Sequence, residues 1–206
     1  MNNQSDSVSE KEMAIQNIET IKTFLEKGRQ NLEDGGFHFI FWGLLIPAAT
    51  FIYLLIIIQT QPFMAKWFWP IIVLAGMTVS ITAGIRQSKS KQTRSYLGRI
   101  NGSLWTGFAI ALLTLFVIIF RGPRPVTPNI LSYTALMLGL VYWVHGSMLQ
   151  LTWFRWTGLP WWISAGVMTA LDWTAASMVM AATTFLCSFI PGVFLFRKNM
   201  KGKSDD

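Results

Sequence analysis

Long apolar runs separated by short polar gaps dominate the chain. Five runs contain no acidic or basic residue, 37–58, 67–85, 104–120, 130–151 and 173–196, and a shorter one covers 157–171. The first, Phe37 to Ile58, has 22 residues. As a helix it would rise about 33 Å, enough to cross a hydrocarbon core of about 30 Å. The runs are apolar all round, which excludes a membrane β-barrel, whose strands alternate apolar and polar over about ten residues. The pattern predicts an all-α, polytopic membrane helical bundle with six transmembrane helices. Its last part needs an argument, because 157–196 holds one charged residue, Asp172. A single helix there would be about 60 Å long, twice the bilayer core. The chain is therefore expected to turn at Asp172 and Trp173 and come back. Span 157–171 is short, at about 22 Å. Either it starts earlier, with Arg155 snorkelling to the headgroups, or it is a re-entrant half-helix.

Ahead of the spans the periodicity changes. In the arm 1–36, Ile15, Ile18, Ile21, Leu25 and Leu32 recur at steps of three, four and seven, the spacing of one helical face. Ser9 and Glu12 form a capping box at its start, and Gly35 with Gly36 is a stop signal at its end. An N-terminal amphipathic helix over 9–34 is predicted. Its stripe could lie on the inner membrane surface, pair with another copy or dock a protein partner. Acids nearly balance bases over 9–34, whereas surface-lying helices are usually strongly basic, so protein contact is the favoured reading.

Charge fixes the threading. Of the 17 Lys and Arg, 14 fall in gaps that share one side if the chain crosses six times; Lys66, Arg121 and Arg124 fall on the other. Basic loops stay in the cytoplasm, so both termini, including the basic tail 197–206, are expected in the cytoplasm beneath a bacterial inner membrane, with 37–196 as the membrane domain. The strongest marker is Arg86, Lys89, Lys91, Arg94 and Arg99, with no acid among them. The opposite loop at Arg121 to Pro128 carries three prolines, which keep it extended. The chain is 52% hydrophobic and 13% charged, too few charges for a soluble surface, where about 25% is usual. The net charge of +7 sits beside apolar spans and so reads as contact with membrane lipids, with no nucleic acid partner expected. The lone Cys187 permits no intramolecular disulfide. No cleavable leader is legible in the first 36 residues.

Ionisable groups inside a membrane are functional candidates because burying them is costly. His145 sits near the cytoplasmic end of span four. It could be a neutral imidazole bonded to a neighbouring helix, a proton relay, or a metal or haem ligand. His38 lies at the mouth of span one, where the two imidazoles could face each other. Without nearby Cys, Asp or Glu, no metal or cofactor is expected. Asp172 reads as an N-cap for span six. A proton-coupled transporter more often holds its acid at mid-membrane. In span four, Ser132, Ala135, Gly139 and Gly146 share one face, suited to close helix packing within the chain or to a homodimer contact. Trp153, Arg155, Trp156, Trp161 and Trp162 form a predicted interfacial lipid anchor. No phosphate loop, dinucleotide turn, His-Glu-x-x-His or Gly-x-Ser-x-Gly occurs, so no residue set supports a catalytic mechanism and no enzyme is expected.

Gly35-Gly36-Phe37, the basic run Arg86 through Arg99, the stretch from Gly139 to Gly146, the stretch from Trp156 to Trp162, and Pro191-Gly192 before the basic tail carry a resemblance. They are similar to a loosely defined group of uncharacterised bacterial six-span integral membrane proteins with a short cytoplasmic N-terminal helix. The resemblance implies architecture and transfers no activity. The expected function is a non-enzymatic membrane component, a regulatory or assembly subunit engaging a partner or another copy through its N-terminal helix. The alternative is a small transporter or channel acting as a homo-oligomer, with Pro47, Pro70, Pro160 and Pro191 breaking helices around a site.

Overall fold

The computed structural model describes residues 13–23, 36–57, 62–90, 96–121 and 129–202. Among them there is helix and turn but no strand. Helix α1 covers 13–23. Helix α2, Gly36–Ile52, continues in a π-helical turn, Tyr53–Ile57. Then follow α3, Pro62–Ser90, α4, Tyr96–Arg121, and α5, Asn129–Met148. Two short helices come next, α6, Thr152–Trp156, and α7, Gly158–Met168. Helix α8, Trp173–Thr184, passes through π-helical Phe185–Phe189 into α9, Ile190–Gly202.

Among the described residues, five stretches are long and apolar enough to cross a membrane: Gly36–Leu55, Trp67–Arg86, Leu97–Ile118, Ile130–Met148 and Trp173–Arg197. These overlap the five charge-free runs; Trp67–Arg86 and Trp173–Arg197 reach one residue further to include an Arg, and Leu97–Ile118 begins seven residues earlier and takes in Arg99. The run 157–171 does not form one such helix. Its helical part is α7 alone, 11 residues, and the chain breaks just ahead of it at Thr157, because Pro160 has no N–H for the Trp156 carbonyl and its ring crowds that carbonyl. Thr157 closes α6 instead, its hydroxyl donating to the Phe154 carbonyl at 2.6 Å. Of the expected arm helix, 13–23 is helical; Ser9, Glu12, Leu25, Leu32 and Gly35 lie outside the described residues.

The bundle is built from antiparallel pairs that meet at glycines. A Cβ on Gly146 would land on the Arg155 backbone, one on Gly158 on the Gly139 carbonyl, and one on Gly139 on the Trp162 ring. Residues 155–162 therefore run back along α5 in step with it. Similarly, Gly36 abuts Phe196, Gly43 abuts Phe189, and Gly192 abuts Phe39 and Ile40, so α9 runs back along α2. Lipid tails are as apolar as the side chains they would displace, so such contacts rest on close packing rather than on burial from water. Around these pairs lies the core, which includes Phe39, Tyr142, Leu149, Phe154, Trp161, Met168 and Leu195. Helix α3 lies beside α2, with Gly76 against Trp42 and the Trp42 indole donating to Ser80 at 2.9 Å. The most apolar windows of α3 and α4 are 6% and 0% buried, against 39% and 44% for α5 and α8–α9. Helices α3 and α4 are thus the outer members and turn most of their apolar side chains outward.

Two of the described turns have local causes. Gln150, with φ 54°, takes the left-handed conformation that ends α5, and the Leu151 N–H reaches back to the Gly146 carbonyl at 3.1 Å. At the other end of the bundle, the Asp172 carboxylate accepts from the backbone N–H groups of Thr174 and Ala175, at 3.0 and 3.4 Å. Asp172 is the N-cap of α8.

Candidate functional site

Among the described residues, the least exposed ionisable side chain is His145, at 2%. It lies one turn before the end of α5, where α2, α4 and α6 converge. Its Nδ1 lies 2.8 Å from Asn101 Oδ1 of α4. A carboxamide oxygen only accepts, so Nδ1 donates and the ring proton resides there. Nε2 is left with its lone pair, buried and without a hydrogen-bonding partner among the described residues. Aromatic rings close the site: Phe39 and Phe154 stand 5.2 and 5.6 Å from the imidazole, and Trp105 stands 6.4 Å away. Tyr142, one turn earlier on α5, stacks on Phe154 at 5.7 Å with ring planes 3° apart. Its hydroxyl shares a short hydrogen bond with Ser188. The π-helical turn widens α8–α9 at that point, so that Cys187 and Ser188 are both buried.

Of the sequence-derived candidates, His145 is thus placed among other functional groups, and His38 is not. His38 is half-buried and meets the ring of Phe37 edge-on at 5.6 Å; the α2 side chain that reaches His145 is Phe39. Asp172 caps a helix near Tyr53 and Trp173, at the far end of the bundle from His145. Ser132, Ala135, Gly139 and Gly146 all face inward and are buried within the chain, where Gly139 and Gly146 seat α7 and α6. They therefore offer no surface to a second copy.

The anticipated lipid anchor divides. Trp153 and Trp156 are exposed, at 46% and 49%. Trp161 is fully buried and packs 5.7 Å from Tyr142, and Trp162 turns its indole N–H to the Leu136 carbonyl at 3.2 Å. Trp161 is accordingly a core residue and cannot anchor the chain to headgroups, because α7 presents it to α5 rather than to lipid. Sequence inspection also missed Asn101, Phe39, Trp105 and Tyr142. Only Asn101 carried a signal, as a carboxamide just ahead of the apolar run 104–120.

Chemically, a bare imidazole nitrogen in an apolar box can accept a proton or a hydrogen bond. No three His, Cys, Asp or Glu side chains come together among the described residues, so His145 gathers no set of metal ligands there. The Asn101 bond also ties the outer helix α4 to the core. Asn101→Leu strands a buried donor and is expected to destabilise by about 1–3 kcal/mol. Adding His145→Phe removes both polar partners and should recover most of that loss, since paired apolar replacement is nearly neutral. A double-mutant cycle of unfolding in mixed micelles measures the coupling; strictly additive losses would show that the bond ties nothing.

No family model, curated relative or solved structure matches this chain.

Proposed function

We propose that this is a six-span protein of a bacterial inner membrane, with both termini in the cytoplasm. In this reading it acts without catalysis, as a regulatory or assembly subunit that engages a protein partner through α1. The observation that carries the proposal is the exposed stripe of α1. Ile15, Ile18 and Ile21 are 59%, 65% and 58% exposed, on a helix that also carries Gln16, Asn17, Glu19 and Lys22. Thr20 and Thr23 turn their hydroxyls back to the Gln16 and Glu19 carbonyls, at 2.8 and 2.9 Å, and Met13, 55% exposed, adds a fourth large apolar side chain to the three isoleucines. An amphipathic face of this kind is what helix-in-groove recognition uses, with anchors at successive turns.

Six crossings are supported by the way 155–162 runs in step along α5, which carries α6–α7 back over most of the same depth. The orientation is supported by the end of the bundle that gathers Gly36, Asn101, His145, Arg155 and Phe196, since basic residues are concentrated there by sequence. Replacing Ile15, Ile18 and Ile21 together by Ser is expected to abolish co-purification of the partner while leaving the micelle unfolding curve of the bundle unchanged. Retention of the same partner by the triple variant would refute the proposal. A second reading, a small transporter or channel acting as a homo-oligomer, draws on the unpaired Nε2 of His145; it requires flux in reconstituted vesicles that His145→Phe removes.

A further inference from the structure

Neither functional reading gives Arg155 a ligand. The close approach of α6 to Gly146 fixes its backbone. Its guanidinium carbon lies 5.1 Å from the ring centre of Trp143 and 5.9 Å from that of Trp156. Those two indoles stand edge to face at 5.4 Å, forming a two-walled clasp. Nε is sealed inside it and has no hydrogen-bond partner among the described residues. The side chain as a whole is half-buried, and its two terminal nitrogens meet no acceptor among the described residues.

Nor does any described carboxylate answer the charge. Those of the described residues are Glu19 on α1 and Asp172, and Asp172 is committed to its cap at the opposite end of the bundle. An arginine held in this way presents a planar fork of N–H donors, which matches the oxygens of a phosphate group two at a time. Exposed indoles at this level, Trp153 and Trp156, are side chains that settle at the depth of lipid headgroups. We propose that Arg155, clasped by Trp143 and Trp156, is a binding site for the phosphate of an anionic phospholipid. The site requires that the chain lie in a bilayer; it is independent of any partner held by α1.

The test uses the full chain in detergent and counts retained lipids by native mass spectrometry, titrating phosphatidylglycerol against phosphatidylcholine. One phosphatidylglycerol is expected to bind more tightly than phosphatidylcholine. Arg155→Gln should weaken that step by about tenfold, the scale of a charge-assisted bidentate pair. Arg197→Gln, at an exposed cation of the same end, should leave it unchanged. Trp156→Leu, at an exposed position that leaves the core intact, should weaken the step by about threefold, the scale of one cation–π contact; this variant decides the matter if Arg155→Gln does not fold. The site would be overturned by equal retention in the wild type and both clasp variants, or by equal retention of the two lipids. Displacement of the lipid by millimolar inorganic phosphate, with the same dependence on Arg155, would also overturn it by assigning the site to a soluble phosphate.

Discussion

Gly146→Ala is expected to lower the stability of the purified protein by about 1–3 kcal/mol, the usual cost of overpacking a tight contact. The new methyl group would meet the backbone of Arg155, and a backbone cannot rotate away as a side-chain tip can. Gly43→Ala should behave alike, because its Cβ would meet the Phe189 backbone. The same exchange at Gly102 should do the opposite. Nothing lies within 4 Å of a Cβ placed there, and alanine is the better helix former by up to about 1 kcal/mol. Unfolding in mixed micelles, followed for the three variants, reads the contrast directly. Equal shifts at Gly146 and Gly102 would mean that the α5–α6 contact does not govern stability.

Trp161→Ala should cost about 3 kcal/mol or more, as large-to-small changes in closed cores do. Trp161 has no exposed surface and packs on Tyr142, so its removal leaves a cavity bounded by α5 and α7. Transfer from water contributes little inside a bilayer; the loss comes from contacts that no neighbour can remake. Trp153→Ala, at a side chain 46% exposed, should cost less than about 1 kcal/mol, as surface changes usually do. A lipid-anchor role for both residues would instead make their costs similar and would shift membrane affinity rather than unfolding.

Much of the architecture was legible because membrane spans are announced by length and by the absence of charge. Gly36, Pro62, Asn129 and Trp173 begin helices close to where the charge-free runs begin. The cap at Asp172 was legible too, since one acid between two long apolar runs has few uses in a membrane. The break after Trp156 was signalled by Pro160, but run length alone could not show that α6–α7 would be two short helices. The site at His145 was only half visible. Its burial followed from its depth in span four, whereas Asn101 and Phe39 come from helices distant in sequence, and apolar periodicity is silent about which helices become neighbours. The two roles of tryptophan could not be separated for the same reason, because Trp153 and Trp161 sit in similar local sequence and differ only in what α5 covers.

The most direct measurement is the intact mass of the native complex released from lipid nanodiscs, taken for the full chain and for the chain with Ile15, Ile18 and Ile21 replaced by Ser. Engagement of a partner through α1 predicts a mass that exceeds whole copies of the chain and loses that excess on substitution. A mass equal to whole copies, the same for both chains, would contradict it and would transfer attention to the bundle and to His145.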